Sequence, residues 1–337
     1  PTKVEGEIDN DGKVIVTWEA PTDDGGNTIK DYIVKACIGE TCAVAGDSKT
    51  NTLSATLSGL SLRTSYTFIV VAKNDAGPGP DSEKSAPATL QKLPSVPDQP
   101  TAEPDKTGGV VVTWVAPDDG GADISDYVVQ SCTAANVCTD FAHTPSASET
   151  ITATGLATGS PFTFKVAAKN IAGVGAYSDA SDVAVPRKIP GIAQNVKATP
   201  DNLGNIDLVW DLPESDGGSP LTDFIVQACK DTLCEVVADG VSPLAVAKIK
   251  GLEIGVSYTF KVAAKNVAGT GGYSDESNAA TPRVVPGAPT DVEAAANDEG
   301  VIALTWSAPE FTGGSPLTGY VVQACTGQNC VEVAQIN

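Results

Sequence analysis

Eight cysteines fall in four pairs, Cys37/Cys42, Cys132/Cys138, Cys229/Cys234 and Cys325/Cys330. Each pair closes a stretch of the type "YVVQACTGQNC" (320–330), an apolar run, a cysteine, a short polar gap and a second cysteine. Three chemistries use such pairs. A structural zinc site needs four ligands, each pair supplies two, and the single histidine, His143, cannot complete four sites. Redox dithiols favour two intervening residues beside a cation or a helix terminus, whereas the gaps here are four residues, or five in the second pair. The third chemistry is a disulfide across a hairpin. Opposed positions on antiparallel strands bring Cβ atoms to about 5.5 Å, close to bridging distance. The pattern therefore predicts four local disulfides, each stabilising its loop by about 2 kcal/mol on the chain-entropy account. Disulfides imply an oxidising compartment, and so secretion or the cell surface. Reduced thiols in a cytosolic array are the alternative. The parity of Cys229, opposite to Phe224 and Val226, places the staple on the outer face of its sheet.

No other residues assemble into chemistry. Carboxylates cluster at Asp23-Asp24, Asp118-Asp119 and Glu214/Asp216. A general acid and base must face each other across a cleft, with one pKa raised, and adjacent residues in a Gly-rich turn do neither. Their oxygens could hold calcium weakly, but the fourth occurrence reads "EFTGG" (310–314) and breaks the pattern, so solvated turns are expected. His143 stands in the polar loop "FAHTPSAS" with no counterpart elsewhere, and is expected to be exposed. No catalytic residue, metal ligand or cofactor is expected, and the chain reads as a non-enzyme. Tyr177 and Tyr273, 96 residues apart in a Gly-rich loop, are expected to cap a joint between units or to touch a partner.

The formal charge of −21, from 42 acidic and 21 basic residues, repels nucleic acid and anionic lipid. No apolar run approaches the ~18 residues of a membrane span. The absence of methionine suggests a processed product or a window of a longer protein.

The elements that hold the cysteines repeat. Trp18, Trp114, Trp210 and Trp306 follow one another at 96 residues, as do Cys42, Cys138, Cys234 and Cys330. One unit of that length is a domain rather than a solenoid repeat. In the third unit "NIDLVWD" puts Ile206, Leu208 and Trp210 on one face, and "DFIVQAC" and "SYTFKVAAKN" alternate likewise. "SNAATPR" (277–283) reads as a last strand. Period-two runs separated by turn signals predict an all-β sandwich. The expected domains are 1–93, 94–189, 190–285 and an incomplete 286–337, with short Pro-containing linkers that limit freedom at the joints.

These residues carry a resemblance. Leu60 followed by Tyr66, Phe68, Val70, Ala72, Asn74 and Gly77 resembles the fibronectin type III pattern. It returns as Leu156…Phe162-Phe164-Val166-Ala168-Asn170-Gly173 and as Leu252…Tyr258-Phe260-Val262-Ala264-Asn266-Gly269. The resemblance implies tandem immunoglobulin-like β-sandwiches, three complete and one partial. The cysteine pair departs from the usual family pattern, and no Arg-Gly-Asp loop implies integrin-type adhesion. The expected role is a non-catalytic structural or adhesive array outside the cell, a semi-rigid rod or filament segment. Its partners would be proteins, either neighbouring copies or other surface proteins, with no nucleic acid and no membrane insertion. Spacer domains of a large secreted polysaccharide-active enzyme are the alternative. The fourth unit lacks the long Tyr-x-Phe-x-Val strand, whose three side chains would contribute about 5–8 kcal/mol of burial. Either the chain is expected to continue past Asn337, or a strand shared by another molecule completes it.

Overall fold

In "VIVTWE" the alternate residues Val14, Val16 and Trp18 are buried while their neighbours face out. This is the period-two signature of a strand with one wet face. The computed structural model describes residues 1–237 and 240–336. Asn337, the last residue of the expected fourth domain, lies outside the described residues. In the first domain the strands are β1 (Thr2–Ile8), β2 (Val14–Glu19), β3 (Asp31–Ile38), β4 (Thr41–Asp47), β5 (Ser54–Leu57), β6 (Ser65–Asn74), β7 (Gly77–Pro78) and β8 (Ala88–Thr89). They form two antiparallel sheets, ordered β1-β2-β5 and β4-β3-β6-β7, with β8 pairing β6. Among the described residues no helix is long and apolar enough to cross a membrane.

Between the sheets lie Val14, Val16, Trp18, Tyr32, Val34, Leu57, Phe68, Val70 and Leu90. The Trp18 and Tyr32 rings meet at 5.2 Å between centroids. The second domain repeats the pair as Trp114 and Tyr127 at 5.0 Å, and the third as Trp210 and Phe224 at 5.1 Å. Each of these three domains thus has its own core around one tilted aromatic pair. By contact density the chain divides into two units, one comprising Pro1–Asp105 and Gly109–Pro186, the other Lys106–Gly108 and Arg187–Asn337.

Among the described residues the fourth domain has only the ladders Thr290–Ala296 with Ile302–Ser307 and Tyr320–Thr326 with Asn329–Ile336. Ile302 and Leu304 are 63% and 37% exposed, while their equivalents Ile206 and Leu208 are buried. No described segment there plays the part of β6.

The last strand expected at 277–283 is reduced to a single antiparallel bridge, Ala280 opposite Tyr258. Ser274 and Ser277 run beside Thr259–Asn266, and each uses its side chain in place of a carbonyl. Val262 N donates to Ser274 Oγ and Phe260 N to Ser277 Oγ, both at 3.0 Å. The amides of the two serines donate back to Val262 O and Phe260 O. Ser82 and Ser85 bind Val70 and Phe68 in the same way, as Ser178 and Ser181 bind Val166 and Phe164. Backbone exchange resumes at Ala280, which both donates to and accepts from Tyr258, so ahead of it hydroxyls satisfy the buried amides.

Candidate functional site: cysteine hairpins and joints

In each hairpin the two cysteines occupy directly opposed positions, Cys37 with Cys42, Cys132 with Cys138, Cys229 with Cys234 and Cys325 with Cys330. All four pairs are disulfides, with Cα atoms 4.0–4.1 Å apart. The expectation of an outward-facing staple needs correction. Cys37, Cys132 and Cys229 are buried to 1–2% exposure. Each lies on a central strand, flanked on one side by its cysteine partner and on the other by Thr67, Thr163 or Thr259 of the long strand. Cys325 has no long strand beside it and is exposed. Parity placed the sulfur on the outer face correctly, but the neighbouring strand then covers it. The second cysteines lie on edge strands, half-exposed at Cys42 and Cys234 and exposed at Cys138.

The acidic loops turn inward on themselves. Asp23 and Asp24 accept from Gly25 N and Gly26 N, Asp118 and Asp119 from Gly120 N and Gly121 N, and Asp216 from Gly218 N. Short carboxylates capping their own turn are a familiar way to set such a loop. Among the described residues no cluster of three or more His, Cys, Asp or Glu could hold a metal ion. His143 is half-buried rather than exposed, with Nδ1 3.0 Å from Thr144 O beside the Trp114–Tyr127 pair. Tyr177 donates to Asp140 Oδ1 at 3.3 Å within its own domain. Burial, then the Asp140 charge, raises its pKa. Tyr273 is half-buried at the end of Gly269–Tyr273, opposite Ala263.

What these loops do is seat the linker. Lys92 N donates to Gly120 O at 2.8 Å and Ser95 N to Asp118 O at 2.9 Å. The Asn170 amide donates to Lys92 O at 2.8 Å and to Asp119 O at 2.7 Å, tying strand end, loop and linker together. Asn170 is 2% exposed, so these bonds are made away from water. At the next linker Lys188 N donates to Gly217 O, and Asn266 donates to Lys188 O and Asp216 O. At the last, Val284 N donates to Gly313 O and Gly287 N to Phe311 O. Gly120, Gly217 and Gly313 all have φ between 71° and 76°, and a Cβ on any of them would overlap a linker carbonyl, of Lys92, Lys188 or Val284. Only glycine permits both the turn and the approach.

Sequence reasoning missed the serine pairs, the role of the three asparagines and one further set. Asp9, Asp105, Asp201 and Asn297 each cap the first hairpin of a domain by accepting backbone amides. The signal was present, because every one of these positions recurs at 96 residues.

The comparison with protein families agrees with this architecture. The family model of the fibronectin type III domain matches residues 1–88, 95–184 and 191–280. Myomesin-2 of Homo sapiens is 28% identical over 96% of this chain, and M-protein, striated muscle, of Gallus gallus is 26% identical over 96%. The chain spans 23% of the length of each. Receptor-type tyrosine-protein phosphatase F of Mus musculus is 25% identical over 76% of the chain, which spans 13% of it. A crystal structure of chicken CNTN1 FN1-FN3 domains covers 83% of this chain and 97% of its own, at 19% identity and a TM-score of 0.34. With three matched domains spanning most of its length, the chain belongs to the fibronectin type III family.

Proposed function

We propose that this chain is a non-catalytic structural segment that works outside the cell or at its surface, spacing and linking other protein. One observation supports the reading most. Each linker's backbone is bonded into the loop of the domain that follows, and a buried asparagine amide secures two of the three linkers. A segment built for a small ligand would spend such buried bonds in a cleft. The proposed domains are 1–93, 94–189, 190–285 and 286–337. The four disulfides favour an oxidising compartment over the interior of a cell. Partners are proteins, either neighbouring copies aligned side by side or sharing a strand, or other surface proteins, with Tyr177 and Tyr273 as contact residues.

Two measurements test this. Alkylating native, unreduced material and weighing it should show no modified cysteine, whereas eight alkylated thiols would move the protein to a reducing compartment. Stretching single chains should give three separate unfolding steps, each releasing about 30 nm for a domain of this length. A chain that lengthens without steps would remove the spacer role.

A further inference from the structure

The first joint carries a charged residue where its counterparts have glycine. Arg63 follows the marker segment of the first domain and has a left-handed backbone, φ 59°. Its equivalents are Gly159 and Gly255, with φ 80° and 84°. All three amides make the same bond, Arg63 to Leu90 O, Gly159 to Pro186 O and Gly255 to Pro282 O. The turn therefore demands a left-handed residue, and glycine meets that demand without strain. The first domain alone places a side chain there and carries the backbone cost.

That side chain reaches the second domain. Arg63 Nη2 pairs with Asp119 Oδ2, and Nη1 donates to Asp123 Oδ1 at 3.0 Å. Asp119 belongs to the linker-seating loop, and its own carbonyl accepts from Asn170. Asp123, two residues past the glycine pair, is a charge found only in the second domain; the other domains have Thr28, Pro220 and Pro316 there. Arginine and partner thus occur once each, on facing sides of one joint. Beside them Gly121 lies so close to Leu62 that a Cβ would sit 2.8 Å from the Leu62 Cβ. At the last joint the corresponding contact is uncharged, with Gly314 against Ile254 and Gly255.

We propose that Arg63 is an ionic latch that holds the first and second domains in one orientation and loosens as salt rises. This goes beyond the spacer reading and stands without it. Ion pairs this exposed favour contact by about two- to five-fold, enough to bias an orientation without welding it. Screening at 1 M salt, with a Debye length of about 3 Å, removes most of that bias.

The test uses the full chain, with spin labels on unnatural residues at Val44 and Val183, which are 68% and 64% exposed. Pulsed electron resonance would record the distance distribution in low salt and in 1 M salt. The latch requires a narrow distribution in low salt that widens in high salt. Arg63→Gln keeps a polar side chain and the backbone demand but removes the charge, and should be wide at both. Arg63→Gly, which restores the residue of the other domains, should be wide at both without lowering the melting temperature. Wild-type width that ignores salt, or an Arg63→Gln distribution as narrow as wild type, overturns the latch.

Discussion

Ser181 shows how much of this fold rests on single polar atoms. Its Oγ accepts from Phe164 N at 3.0 Å, and the serine is 5% exposed. Replacing it by alanine leaves a buried amide without an acceptor, which costs about 1–3 kcal/mol. Ser181→Ala should therefore lower the denaturant midpoint of one domain while leaving its slope unchanged. Asp201 offers a second test at this scale. The side-chain amide of Asn205 first, then the backbone amides of Asn205 and Leu203, with Lys248, hold its carboxyl well below the usual carboxylate range. A depressed carboxylate stabilises the fold above its ordinary pKa of about 4, and that contribution fades as pH falls below it. Asp201→Ala should lower one calorimetric transition at pH 7, and the gap to the parent should shrink steadily below about pH 4. A gap that is constant with pH would mean that the carboxylate charge plays no part in holding the hairpin.

At the scale of elements, the strand with its buried Trp and the cysteine hairpin were legible in the sequence because both depend on neighbours within a few residues. Val14, Val16 and Trp18 announce their face by alternation alone. In "SNAATPR" Ala280 pairs with Tyr258 as a strand residue does, but Ser277 accepts through its hydroxyl, and propensity does not see which atom accepts. Cys229 was placed outward because parity gives the direction of a side chain and not what covers it. Its neighbour on the long strand is Thr259, thirty residues further on. The same geometry orders the disulfides of the first three domains by access. Thiolate attack needs a reachable sulfur, and of their second cysteines Cys138 is exposed while Cys42 and Cys234 are half-exposed. Timed reduction with dithiothreitol, alkylation and peptide mapping should find Cys132–Cys138 opened before Cys37–Cys42 and Cys229–Cys234. Simultaneous opening of the three would show that exposure of the second cysteine does not set the order.

The joints belong to the whole molecule, and they were the part least legible in the sequence. Asn170 and Lys92 are 78 residues apart, and nothing local to either suggests that they touch. The recurrence of Asn74, Asn170 and Asn266 marked the position without disclosing its bond. The glycine pairs read as turn chemistry, which they are, but Gly120, Gly217 and Gly313 also accommodate the incoming linker. Gly120 and Gly25 separate the two roles. Both have a left-handed backbone, φ 71° and 68°, so alanine costs each about 1–2 kcal/mol on conformational grounds. At Gly25 the nearest atom to a new Cβ is Asn74 Nδ2 at 3.6 Å, an ordinary contact. At Gly120 the new Cβ overlaps Lys92 O and Leu93 O. Gly120→Ala must therefore lift residues 92–95 off the loop and break the bond from Lys92 N, while Gly25→Ala leaves that linker seated. Amide exchange at Lys92 should accelerate roughly ten-fold in Gly120→Ala, with the interior amides of both domains unchanged, and should stay at the parent rate in Gly25→Ala. Equal exchange at Lys92 in the two variants would mean that the loop only turns the chain, and that some other contact fixes the joint.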